Sequence, residues 1–84
     1  MARSAQFMPL GTRIRTLRHS RGWYLRDLAA RADMETSKLS QVERNMAFPG
    51  VEKLWDLAAA FDMAVVEFLE GVQRPDRSSR RRAA

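Results

Sequence analysis

The chain has no cysteine, one histidine (His19), four glycines and three prolines in 84 residues. Without cysteine there are no disulfides and no thiolate metal ligands, and one imidazole cannot by itself build a zinc site or activate a nucleophile. No pair of carboxylates, nucleophile with its base, or phosphate-cradling glycine loop stands out, so catalysis is not expected and no cofactor is required. Also missing is the run of about 18 apolar residues that a membrane helix needs. The opening MARSAQFMPLG lacks the apolar stretch of a secretion signal. These absences predict a cytoplasmic protein that works by binding, with no part in a membrane. The length predicts one small domain, near the size where burial only just outweighs chain entropy, with no cleft between lobes.

What is there is charge, unevenly placed. The net charge is +5. Residues 1–49 carry Arg3, Arg13, Arg15, Arg18, Arg21, Arg26, Arg31, Lys38 and Arg44 against Asp27, Asp33, Glu35 and Glu43, a balance of +5. Residues 50–70 set Lys53 against Glu52, Asp56, Asp62, Glu67 and Glu70, a balance of −4. From residue 71 onward five arginines face Asp76, giving +4. A basic front, an acidic back and a basic tail suggest a polyanion on one side only.

The apolar pattern reads as helices throughout, with no segment patterned as a strand and no internal repeat. Pro9 followed by Leu10, Ile14 and Leu17 predicts a first helix over about 9–21, ended by Gly22. Leu25, Leu28, Ala29 and Ala32 mark a second, with Asp27 in its first turn, where a carboxylate suits the helix dipole. Asp33 takes the bend that follows, since its short side chain tolerates the left-handed conformation. A third helix spans about 36–43, and Asn45–Gly50, containing Pro49, is a loop. Val51, Leu54, Leu57, Ala58 and Phe61 predict a fourth helix, and Glu67–Gly71 a short fifth bearing Phe68 and Leu69. Residues 1–8 form a flexible arm, 9–72 the domain, and 73–84 a basic tail too polar to bury anything.

The third helix is the informative one. Leu39 and Val42 form its apolar side, while Thr36, Ser37, Lys38, Ser40, Gln41 and Arg44 are all hydrogen-bonding groups. Such a face can meet base edges and phosphates. It also fits an ordinary solvated surface, so context must decide. At about 1.5 Å per residue the helix is about 12 Å long, the width of the major groove.

Context comes from LAARADMETSKLSQVER with LWDLAAAFDM after it, which closely resemble the lambda repressor and Cro type of helix-turn-helix domain, the XRE family. The resemblance covers about residues 10–70. Its most specific parts are Leu28 and Ala29, then Leu39, Val42, Glu43 and Arg44, then Pro49, and the L-x-x-L-A-x-A-F of Leu54 to Phe61. It implies an all-α, five-helix domain whose helices 2 and 3 form the helix-turn-helix. Helix 3 would be the recognition helix, with Thr36, Ser37 and Gln41 reading bases and Ser40 beside them. Arg26, Lys38, Arg44 and Asn45 would meet phosphates, and Arg18 with Glu43 would join helix 1 to helix 3. Phe68, Leu69 and Val72 would form a homodimer seam, placing two recognition helices one DNA turn apart on a pseudo-palindromic operator.

The implied function is a dimeric, sequence-specific transcriptional regulator acting as a repressor, controlled by its own level or by a second, regulatory protein. The alternative is the same fold kept as a protein-interaction module. Three departures favour that alternative. Leu25 stands where many relatives carry a phosphate-binding Gln, Asp33 replaces the turn glycine, and Glu35 replaces a small cap residue. Glu35 reads as a dipole partner or as an acceptor from cytosine N4. Leu25 packs on Trp23 or on a partner chain, and Trp23 and Trp55 read as core or core edge. The SSRRR tail either follows phosphates or is simply solvated.

Overall fold

In the computed structural model, which describes residues 8–73, five helices follow one another in the order expected: α1 (Leu10–Ser20), α2 (Leu25–Arg31), α3 (Thr36–Glu43), α4 (Val51–Ala60) and α5 (Val65–Phe68). Expectations for residues 1–7 and for the tail from residue 74 lie outside the described residues. Among those described there is no strand. Met8 makes an isolated parallel bridge to Val72, with Met8 N donating to Gly71 O at 3.0 Å and Gln73 N to Met8 O at 2.7 Å. Met8, assigned to the free arm, is therefore tied to the far end of the domain.

One side of each helix supplies the core. Leu10 and Ile14 of α1, Leu28 and Ala29 of α2, Leu39 and Val42 of α3, and Leu57 and Ala58 of α4 are buried together with Ala32, Phe61 and Phe68. An aromatic column runs through it. Phe68 stacks on Phe61 (centroids 6.0 Å apart), Phe61 on Trp23 (5.6 Å), and the Arg31 guanidinium covers Trp23 at 4.3 Å.

Helices α1 to α4 all end in one way. The residue after each cap has positive φ: Gly22 (70°), Asp33 (55°), Asn45 (63°) and Asp62 (60°). The amide beyond it reaches back five residues, Trp23 N to Arg18 O, Met34 N to Ala29 O, Met46 N to Gln41 O and Met63 N to Ala58 O. This is the Schellman motif, which satisfies terminal carbonyls and turns the chain sharply. The fifth helix differs from expectation. It starts at Val65 and stops at Phe68, because the turn at Asp62 closes α4 early enough for the next helical turn to begin after Ala64. That register aims Phe68 inward.

Candidate nucleic-acid interface

Helix α3 begins after Glu35, whose backbone is extended (φ −72°, ψ 142°) and whose side chain makes no capping bond. Residues 36, 37, 40, 41 and 44 recur on one side of a 3.6-residue helix, and 39, 42 and 43 on the other. Thr36, Ser37, Lys38, Gln41 and Arg44 are exposed, Ser40 is half-buried, and Leu39, Val42 and Glu43 are buried. The hydroxyls and amide expected to read bases lie at the surface.

What fixes this helix is a charge pair and a lock. Glu43, 3% exposed, accepts from Arg18 Nε at 2.7 Å and Nη2 at 2.9 Å, while Arg18 Nη1 donates to Trp23 O at 3.0 Å. These bonds to Glu43 hold the Arg18 guanidinium above its ordinary pKa despite burial. Arg15 adds a longer contact, Nε to Glu43 Oε1 at 3.7 Å. The lock is Asn45, whose Oδ1 accepts from Gly11 N at 2.9 Å, satisfying an amide in the first turn of α1. Gly11 is there because nothing larger fits. A Cβ on it would collide with Val42 O, Glu43 O and Asn45 Oδ1.

Asn45 thus ties α3 to α1 through its oxygen, a role the sequence did not reveal. A phosphate contact would have to use its amide NH2. Lys38 is exposed beside the departures Asp33 and Glu35, all three lining a shallow pocket with Met34 and Lys53. Lys53 Nζ lies 3.9 Å from the Asp33 carboxylate, donates to Asp33 O at 2.6 Å and stands 3.3 Å from Asp56. The negative charge at the turn is therefore set among two lysines. Arg26 is exposed, its guanidinium over the Tyr24 ring at 4.7 Å. Leu25 is half-buried against the core.

The basic front is smaller than its charge count. Arg13 donates to Phe68 O and Glu67 O, both at 3.0 Å, Arg15 to Glu43 O at 3.4 Å, and Arg21 to Phe61 O at 2.8 Å. Each of these cations thus sits on the carbonyl end of another helix, where the dipole favours it. With Arg18 on Glu43, the described cations of the helix-turn-helix that face solvent are Arg26 over Tyr24, Arg31 over Trp23, Lys38 and Arg44. Arg44 makes only a long bond to Ser40 O, 3.4 Å.

Two expectations about apolar residues are corrected. Phe68 is 0% exposed, stacked inside its own protomer, and cannot belong to a dimer seam. Leu69 and Val72 are half-buried, and the exposed apolar residue of α5 is Val66, at 84%. Trp55 is 59% exposed; unlike Trp23 it is not core.

Comparison with known proteins agrees with this geometry. The family profile described as "Helix-turn-helix domain" matches residues 9–70. The chain is 39% identical over 66 residues to the HTH-type transcriptional regulator DdrOP3 of Deinococcus deserti, covering 79% of this chain and 51% of that protein. It is 34% identical over 64 residues to the HTH-type transcriptional regulator SutR of Escherichia coli K12, covering 76% of this chain and 36% of that one. The chain thus spans about half the length of the first relative and about a third of the second. The fold is similar to a chain of the SinR protein/SinI protein complex, with TM-score 0.67 and 29% identity over 88% of this chain and 74% of that one. With its five helices, its buried Glu43 and its exposed polar third helix, the chain belongs to the helix-turn-helix domain family, in the lambda repressor and Cro form.

Proposed function

We propose that the chain is a DNA-binding transcriptional regulator that acts as a repressor, laying α3 in the major groove and blocking a promoter by occupancy. The observation that carries this reading is the division of α3. Leu39, Val42 and Glu43 are locked inward while Thr36, Ser37 and Gln41 stand free. Those three side chains would discriminate bases, each good bidentate contact contributing about 1–3 kcal/mol. Ser40 supports them from the half-buried edge. Arg26, Lys38, Arg44 and the Asn45 amide would hold phosphates and set the register.

Two-fold pairing would place two such helices about one DNA turn apart, roughly 34 Å, on a pseudo-palindromic operator. Leu69 and Val72, joined by Val66 in place of Phe68, would form the seam. A second protein that covers α3 or parts the dimer would relieve repression. The working place is the cytoplasm, on the nucleoid when DNA is bound.

The test is titration against duplexes selected from a random pool, at two salt concentrations. Affinity that falls steeply with salt and prefers the selected sequence supports the reading. An absence of binding at low salt would move the fold to the protein-interaction alternative. Sedimentation at tens of micromolar checks the pairing, and a monomer there, with and without DNA, rules it out.

A further inference from the structure

Tyr24 is a large aromatic left outside the core, 65% exposed, although Trp23 beside it enters the aromatic column. The backbone explains the division. Tyr24 is extended (φ −77°, ψ 164°) as the cap of α2, and extended neighbours point to opposite sides. Its position is well held, with Tyr24 N donating to Asp27 Oδ2 at 2.7 Å and Tyr24 O accepting from Asp27 N at 3.0 Å and Leu28 N at 3.3 Å. The backbone of Tyr24 is anchored while its ring stays in solvent, so the ring adds little to the core.

What the ring does touch is Arg26, whose guanidinium carbon lies 4.7 Å from its centroid. Arg13, Arg15, Arg18 and Arg21 donate to carbonyls or to Glu43. Among the described residues Arg26 makes no hydrogen bond and no ion pair. A guanidinium held over an aromatic face by cation–π attraction samples fewer orientations, and its N–H groups not turned to the ring stay free for the two oxygens of a phosphate. Leu25, the next residue, is turned against the core and its side chain offers no donor. A side-chain contact to the DNA backbone from this end of α2 therefore falls to Arg26.

We propose that Tyr24 is a positioning residue for DNA, its ring holding the Arg26 guanidinium edge-on to a backbone phosphate. This rests on the DNA-binding reading above. Tyr24 itself need not touch the nucleic acid. It reduces the orientations Arg26 must give up on binding.

The experiment uses the whole chain and a duplex that the wild-type chain has selected from a random pool. Affinity is measured across roughly 50 to 200 mM salt for wild type, Tyr24→Phe, Tyr24→Leu, Arg26→Gln and the Tyr24→Leu/Arg26→Gln pair. Arg26→Gln should lower the slope of log K against log salt by about 0.9. Tyr24→Leu should bind about two- to fivefold more weakly, the range an exposed cation–π contact supports. The double variant should be no weaker than Arg26→Gln alone, Tyr24→Phe should match wild type, and thermal midpoints should not move.

Wild-type affinity in Tyr24→Leu, or a loss that simply adds to that of Arg26→Gln, overturns the assignment. Weakness in Tyr24→Phe equal to that of Tyr24→Leu would place the effect in the hydroxyl and do the same. A wild-type chain that binds no duplex even at low salt overturns the DNA reading as well, and so is distinguished from the first three results.

Discussion

Glu43 is a carboxylate placed where water cannot reach it, and its neighbours decide whether that is tolerable. Two bonds from Arg18 and the longer approach of Arg15 balance the lost hydration. Arg18→Ala should therefore cost about 3–5 kcal/mol, as expected when one partner of a buried pair is removed. Replacing both residues, Arg18→Met with Glu43→Leu, should recover most of that, and urea unfolding of the two variants beside wild type checks the pattern. No pH dependence should come from Arg18. Its folded pKa is raised, so its contribution is complete below the unfolded value and fades only as pH climbs past the folded one, far into alkali. Gly11 is the second decisive residue. A methyl group there meets Glu43 O at 2.6 Å and Asn45 Oδ1 at 2.7 Å, so Gly11→Ala should cost about 1–3 kcal/mol by overpacking. It should also weaken DNA binding beyond what lost stability explains, because α3 is pushed off α1; thermal melts beside titrations on the selected duplex separate the two effects. The Arg18–Glu43 pair was legible only through family resemblance, since nothing local to either residue announces a partner 25 positions away. The Gly11–Asn45 lock was not legible, because close approach of two helices leaves no periodic mark.

Helix ends, more than helix faces, organise this domain. Four ends close through one residue in the same left-handed conformation, and a side chain from elsewhere clasps the carbonyl end of α3, α4 and α5, through Arg15, Arg21 and Arg13, while Lys53 holds Asp33 just beyond α2. Helix α5 is a single turn and depends most on such help. Arg13→Gln should lower stability by about 1–2 kcal/mol, given that hydrogen bonds from charged groups are the stronger kind. The Leu69 and Glu70 amides should exchange hydrogen faster than those of α1, and unchanged protection there would show that the clasp contributes nothing. The apolar stripes of α1 to α4 were legible because each repeats at helical spacing. The limits of α5 were not, since Phe61, Met63, Val65, Phe68 and Leu69 fit more than one register and only the turn at Asp62 selects among them. Gly22 and Asp33 were recognised as turn residues. Asn45 and Asp62 use the same conformation and were missed, although each is a short polar residue directly after a helix and before a methionine.

At the scale of the molecule, charge was the part of the sequence most easily misread. Counting gave a strongly basic front, but most of its described arginines are turned to helix ends, to Glu43 or to Trp23. A count cannot see a carbonyl belonging to a distant helix. The polar side of α3 was readable because its two faces differ in kind and not only in charge. The bridge between Met8 and Val72 has a consequence of another sort. The described polypeptide nearly closes on itself: Met8 and Gln73, its first and last described residues, lie side by side on segments that run in the same direction. A permuted gene that splices residue 73 to residue 8 through a few glycines and opens between Ala47 and Phe48 should still give a helical circular-dichroism spectrum and a cooperative melt. Loss of that melt would mean that the sequential order of the helices, and not merely their arrangement, is needed for folding.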